Sequence, residues 1–164
     1  YSYDTAQASF EILARRELGQ MPDFFDVKRY RVTVERRKNK YNKMVSLSEA
    51  VVVVKVSDEK RLSVSESMDE TGSDRGPVNA LAKALAKDLG QYQDMIADMR
   101  LVDFKVRITQ GGTEAVTRVV IDSEDAQGRR WATVGVSPNI VDASFEALIE
   151  AMQWKILHDT QKGA

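Results

Sequence analysis

The chain contains no cysteine among its 164 residues. Disulfide bonds, thiolate nucleophiles and cysteine-based zinc sites are therefore excluded, and a cytoplasmic setting is the simpler expectation. There is a single histidine, His158. It has no neighbours at metal-ligand or acid–base spacing, and it is expected to face solvent at a helix end. Neither charge is in surplus: 24 basic and 25 acidic side chains leave a formal net charge of −1. That balance argues against a nucleic-acid partner, which would need a basic excess to neutralise phosphates. Long apolar runs are also missing, and no signal peptide is visible, so no membrane partner is expected. The first residue is Tyr1 rather than methionine, as expected of a piece of something longer.

What is present is a sequence stated twice. Tyr30-Arg31-Val32-Thr33-Val34 is echoed by Phe104-Lys105-Val106-Arg107-Ile108, and Ser48-Glu49-Ala50-Val51 by Thr113-Glu114-Ala115-Val116. Arg61-Leu62 recurs as Arg130-Trp131, and the prolines Pro77 and Pro138 each open a helical pattern. Apolar residues alternate along three stretches in each copy, the period of half-buried strands, and then recur at helical spacing. Val78, Leu81, Leu85, Leu89 and Tyr92 form one helix face, and Val141, Phe145, Leu148, Met152 and Ile156 the other. The fold class is α+β: two pseudo-symmetric βββα modules, 26–97 and 98–164. Such a unit does not bury its apolar face alone, so the copies are expected to share a core or to pair with a second chain. A short N-terminal helical arm precedes them within 1–25. It runs from a capping box at Asp4-x-x-Gln7 to Gly19, which suits the position after a helix end.

Other groupings have ordinary readings. Asp122, Glu124 and Asp125 are expected at a solvated hairpin tip. Arg36 to Lys43 is a basic, polar turn that is also expected to be solvated. Gly72-Ser73-Asp74-Arg75-Gly76-Pro77 precedes a helix, and unpaired N–H groups there would suit an anion. Ser137-Pro138-Asn139 precedes the last helix in the same way, so two helix starts could flank one ligand.

The Gly-Pro-Val-Asn-Ala helix start (76–80), Arg100-Leu101-Val102-Asp103-Phe104-Lys105-Val106 and Val134-Gly135-Val136-Ser137-Pro138-Asn139 resemble the C-terminal regulatory (LeuA dimerisation) domain of the 2-isopropylmalate synthase family. Ala8-Ser9-Phe10-Glu11-Ile12-Leu13-Ala14-Arg15-Arg16-Glu17-Leu18-Gly19 and Tyr30-Arg31-Val32-Thr33-Val34-Glu35-Arg36 look more like its citramalate synthase branch. The resemblance implies that 1–25 ends a helical linker subdomain and that 26–164 is a homodimeric, amino-acid-binding regulatory domain. The chain itself would be non-catalytic. Its parent, an acyltransferase, would condense acetyl-CoA with pyruvate on a metal-dependent barrel, so the divalent metal and acetyl-CoA belong to that missing part and no cofactor is expected here. The implied effector is isoleucine. The alternatives are leucine, on a 2-isopropylmalate synthase, or a ligand-free dimerisation module. Carried over by position, Leu101, Phe104 and Ile108 would wall the effector's side chain. Arg75, Gly76 and Asn79 would approach its polar end, and Ala115, Thr117, Pro138 and Ile140 would complete the enclosure.

Overall fold

The computed structural model describes residues 6–69, 75–111 and 114–162. The element order is α1 (Gln7–Glu17), β1 (Asp26–Lys38), β2 (Met44–Val56), β3 (Glu59–Asp69), α2 (Arg75–Lys87), α3 (Gln93–Ile96), β4 (Arg100–Gly111), β5 (Glu114–Glu124), β6 (Arg130–Ser137) and α4 (Ile140–Lys162). This is the expected α+β plan, with two antiparallel three-stranded sheets, β1-β2-β3 and β4-β5-β6, each followed by a helix. The chain divides into two compact units, Phe24–Gln93 and the remainder on either side of it. The repeat extends to an irregularity: β1 bulges between Val27 and Arg29, and β4 bulges at the equivalent place between Leu101 and Asp103.

In the Phe24–Gln93 unit, α2 lies on β2 and β3. Ala50, Val52 and Val54 are buried beneath its Ala80, Leu81, Ala84 and Leu85. The neighbouring positions are small: Ser63, Ser65 and Ser67 of β3 and Ser48 of β2 are buried. The helix therefore approaches closely, and a side chain on Gly76 would come within 2.9 Å of the Ser48 Oγ. Leu62, Val64 and Met68 alternate as the sequence predicts, but they face away from α2, and Leu62 is 62% exposed. Strands β2 and β3 are joined at Ser57-Asp58, both with positive φ (48° and 68°), the twist a two-residue hairpin needs.

In the other unit, α4 lies on β6 and β5. Its Phe145, Leu148, Met152 and Ile156 are buried on Val119, Ile121 and Thr133, each apolar side chain contributing roughly 1.5–3 kcal/mol. Gly135 sets the spacing, since a Cβ there would fall 1.8 Å from the Ala143 carbonyl oxygen. Two buried polar groups register the helix on β6. Trp131 Nε1 donates to the Ala151 carbonyl at 3.1 Å, and Thr133 Oγ1 to that of Ala147 at 2.6 Å.

The N-terminal helix is no loose arm. The Ser9 hydroxyl accepts the Val134 N–H at 2.9 Å, from the free edge of β6, and donates to the Glu150 carboxylate on α4. A bare sheet edge is thereby covered. Asp4 lies outside the described residues, and the helix begins at Gln7 with Ala6 at its cap and no side-chain capping bond. Its other end follows expectation: Gly19 has φ +67°, and Gly19 and Gln20 donate to the Arg16 and Arg15 carbonyls, closing the last turn.

The prolines sit differently from expectation. Pro77 is the third residue of α2, not the first. A helix's first four N–H groups have no intrahelical partner, so the missing donor costs nothing at either place. Pro138 lies outside α4. Asn139 is the cap, its Oδ1 accepting from the N–H groups of Val141 (2.8 Å) and Asp142 (3.2 Å). His158 is not solvent-facing. Its ring stacks on Trp154 with centroids 4.0 Å apart, and Nε2 lies 2.8 Å from Glu11 Oε2 on α1.

The carboxylate turn is also a correction, because Asp125 is buried rather than solvated. Its carboxylate accepts from the Arg129 side chain at 2.7 Å and lies 3.3 Å from Lys155 Nζ. Lys155, 1% exposed, also meets Asp159 at 2.6 Å and Asp98 at 3.4 Å. Burial pushes the Asp125 carboxyl up, but the bonds from Arg129 and Lys155 outweigh it and hold its pKa at about 2. Burial likewise opposes the charge on Lys155, and its bonds to Asp159 and Asp125 outweigh this and raise its pKa. The network ties the β5–β6 turn to the last turns of α4.

Gly135→Ala forces α4 off β6 and destabilises the unit by about 3 kcal/mol or more, read as a lower midpoint in urea. Lys155→Met leaves buried carboxylates short of a partner and costs about 3–5 kcal/mol. Because the Asp125 pKa is depressed from 3.8 to about 2, its stabilisation is full above pH 4 and is lost as pH falls through 2. Acid titration of the fold should show that loss, and Asp125→Asn should remove it.

Candidate functional site

The β4 bulge decides which side chains share a face. Without it, Leu101 and Phe104 would point to opposite sides. With it, Leu101 pairs with Ser123, Phe104 with Ile121, Val106 with Val119 and Ile108 with Thr117. All four β4 residues then share the face that α4 covers on β5 and β6. Because α4 stops short of β4, this outer strand keeps an open apolar stripe. Phe104 is half-buried, Val106 is 38% exposed and Ile108 is 63% exposed. The other unit has the same feature: Tyr30, Val32 and Val34 pair with Val52, Ala50 and Ser48 on its helix-covered face.

The residues singled out from the sequence divide accordingly. Ala115 and Thr117 lie on the same face as Ile108, at the same end of the sheet. Thr117 is buried and Ala115 exposed, and Thr117 pairs in turn with Ser137 on β6. Pro138 and Ile140, both exposed, follow Ser137 directly. Leu101 lies at the opposite end. Its partner Ser123 lies six positions along β5 from Thr117, about 20 Å of strand. The structure therefore gathers Ile108, Ala115, Thr117, Pro138 and Ile140 at one end of the sheet, places Phe104 midway and Leu101 far off. Val106 belongs to the stripe: period two groups it with Phe104 and Ile108, although it is not among the effector contacts carried over by position.

Arg75, Gly76 and Asn79 belong to the other unit. Gly76 is buried against Ser48, so its missing side chain serves helix–sheet contact, and Asn79 is exposed. Of the two helix starts, Gly72 to Asp74 lie outside the described residues. The start of α4 is satisfied internally by Asn139, which leaves fewer N–H groups for an anion.

Glu150, on α4 beside the covered edge of β6, has its pKa raised by burial and by Glu146, against the lowering effects of Ser9 and Arg16. Among the described residues no helix is long and apolar enough to cross a membrane.

The chain is 40% identical to the (R)-citramalate synthase of Geobacter sulfurreducens over 99% of its length, and 37% identical to that of Aquifex aeolicus over 99%. It is 32% identical to the 2-isopropylmalate synthase of Pseudoalteromonas atlantica over 93% of its length. The chain spans only 29%, 29% and 28% of those relatives. Residues 4–156 match the LeuA allosteric (dimerisation) domain, and with its paired βββα units the chain belongs to that family.

Proposed function

We propose that the chain is the feedback-inhibition sensor of a citramalate synthase and that isoleucine is its effector. The family membership supports a regulatory role. The citramalate synthases among its relatives support a parent enzyme that condenses acetyl-CoA with pyruvate in isoleucine biosynthesis. Catalysis, with its divalent metal and acetyl-CoA, is assigned to the parent's barrel and not to these residues.

The observation that carries the reading is the open stripe Phe104–Val106–Ile108 beside Thr117. An aliphatic side chain gains from an apolar wall, while its ammonium and carboxylate need polar partners. Isoleucine is too short to reach from Leu101 to Ile108, so its site is proposed at the Val106–Ile108–Thr117 end, near Pro138 and Ile140. The chain is proposed to act as a cytoplasmic homodimer. A second copy would cover the exposed Leu62 and Val64, which pair with Val53 and Val51 on the outer face of the sheet. Effector binding to one state of the dimer would bias the parent by about 1–3 kcal/mol.

Leucine is the second reading, since the two side chains differ by one shifted methyl, worth roughly 1–3 kcal/mol in an apolar pocket. Calorimetric titration with isoleucine, leucine and valine separates the readings. Saturable binding with isoleucine tightest is expected. Tighter leucine binding moves the chain to the 2-isopropylmalate branch, and no binding by a folded dimer leaves only the dimerisation role. Ile108→Ala should weaken isoleucine about 5–30-fold with little loss of stability, because Ile108 is already largely exposed.

The dimer is tested separately. Leu62→Glu with Val64→Glu should shift the mass measured by light scattering from dimer to monomer. An unchanged dimer would move the interface elsewhere.

A further inference from the structure

The turn between β1 and β2 is the most basic stretch of the chain. Arg36, Arg37, Lys38, Lys40 and Lys43 fall within 36–43 of a protein whose formal net charge is −1. Among the described residues, the ion pairs of Lys28 and Lys55 on the same strands are local, and none involves these five side chains. Like charges so close together repel, and the fold carries that cost unless an anion offsets it.

The turn is also pinned. Asn39 Oδ1 accepts the N–H groups of Tyr41 (2.9 Å) and Lys43 (3.0 Å), and Asn39 N–H donates to the Lys43 carbonyl at 2.9 Å. Asn42 closes it with φ 64°. The bends that a mobile tip would lose on binding are therefore already fixed. Against the turn lies a cavity of about 350 Å³ lined by Arg37, Lys38, Lys40, Tyr41, Val45 and Met68. Val45 is buried, Met68 is exposed, and the Tyr41 ring is 71% exposed with Lys40 Nζ 5.1 Å from its centroid.

A cleft with an apolar floor, an exposed aromatic ring and several exposed cations suits a ligand that is flat at one end and polyanionic at the other. We propose that it binds a phosphorylated nucleoside, the base against Tyr41 and Met68 and the phosphates on Arg37, Lys38 and Lys40. Arginine and lysine supply charge-assisted bonds to phosphate, and aromatic rings stack on any base. The size matches a single small molecule. A long polynucleotide fits less well. Running from the turn along the sheet's outer face, its phosphates would meet Glu35 and then the paired Glu49 and Glu66.

Titration of the 164-residue chain with ATP at low salt tests this, with pyrophosphate, adenosine and a single-stranded RNA oligomer as separate arms. Saturable ATP binding with Kd below about 1 mM is expected, weakening as salt rises. Adenosine and pyrophosphate alone should each bind more weakly. Arg37→Ala with Lys40→Ala should weaken ATP about tenfold or more, and Tyr41→Leu about threefold or more with pyrophosphate unchanged. All three side chains are exposed, so circular dichroism should show an intact fold. Four outcomes overturn the proposal: no saturable binding, ATP affinity unchanged in the double variant, pyrophosphate bound as tightly as ATP, or RNA bound more tightly than ATP. The isoleucine titration reads a different unit and is unaffected by any of them.

Discussion

How closely each helix approaches its sheet is the constraint on which the other features depend. In one unit Gly135 removes the side chain that would collide with Ala143. In the other, Ser48, Ser63, Ser65 and Ser67 face Ala80 and Ala84, with Gly76 beside them. Small residues at both surfaces bring each helix down over two strands of three, and the dispersion gained there depends on that short separation. The outermost strand stays uncovered. The stripes on β1 and β4 are therefore consequences of close packing elsewhere, and each gives its unit a reason to take a ligand or a partner.

The network around Lys155 is the costlier device. Burying an ammonium beside three carboxylates and a guanidinium takes several ions out of water, and an apolar cluster of similar volume could be as stable. What the ions add is geometry. Asp125 accepts backbone N–H groups from Gln127 and Arg129 at 3.0 Å each, while Asp98 accepts from Ala126 at 3.1 Å. The turn between β5 and β6 is thus held in one conformation against the last turns of α4. A swap to apolar residues would keep the burial and lose that positional lock.

Elements set by periodicity were legible in the sequence. The strands near Tyr30 and Phe104, the buried face of α4, and that of α2 as far as Leu85 follow from alternation and helical spacing alone; Leu89 and Tyr92, expected on the same helix, lie beyond its end at Lys87. Features that depend on partners distant in the chain were not. Asp125 reads as an ordinary turn residue until Lys155 and Asp159, thirty and more positions away, are seen beside it. His158 reads as a frayed end until α1 brings Glu11 to it. The serines of β3 look like a solvent face, and only the small alanine surface of α2 makes them the buried one. The site was partly legible for the same reason. Period two grouped Phe104 with Ile108, but the bulge at Val102 that turns Leu101 to that face, and the length of strand that separates it from Ile108, are properties of the folded register.

The position of α1 bears on how a signal could leave this domain. Its Ser9 bridges the β6 edge and Glu150 of α4, and its Glu11 meets His158 near the far end of α4. The same α4 flanks the open stripe on β4. A ligand seated on that stripe can favour one setting of α4 on the sheet only by as much as its affinities for the two settings differ. Gly135 leaves no slack beneath α4, and the Ser9 hydroxyl couples Glu150 of that helix to Val134 of β6. The proposed inhibition by isoleucine would pass outward through these contacts of α1 with α4 and β6.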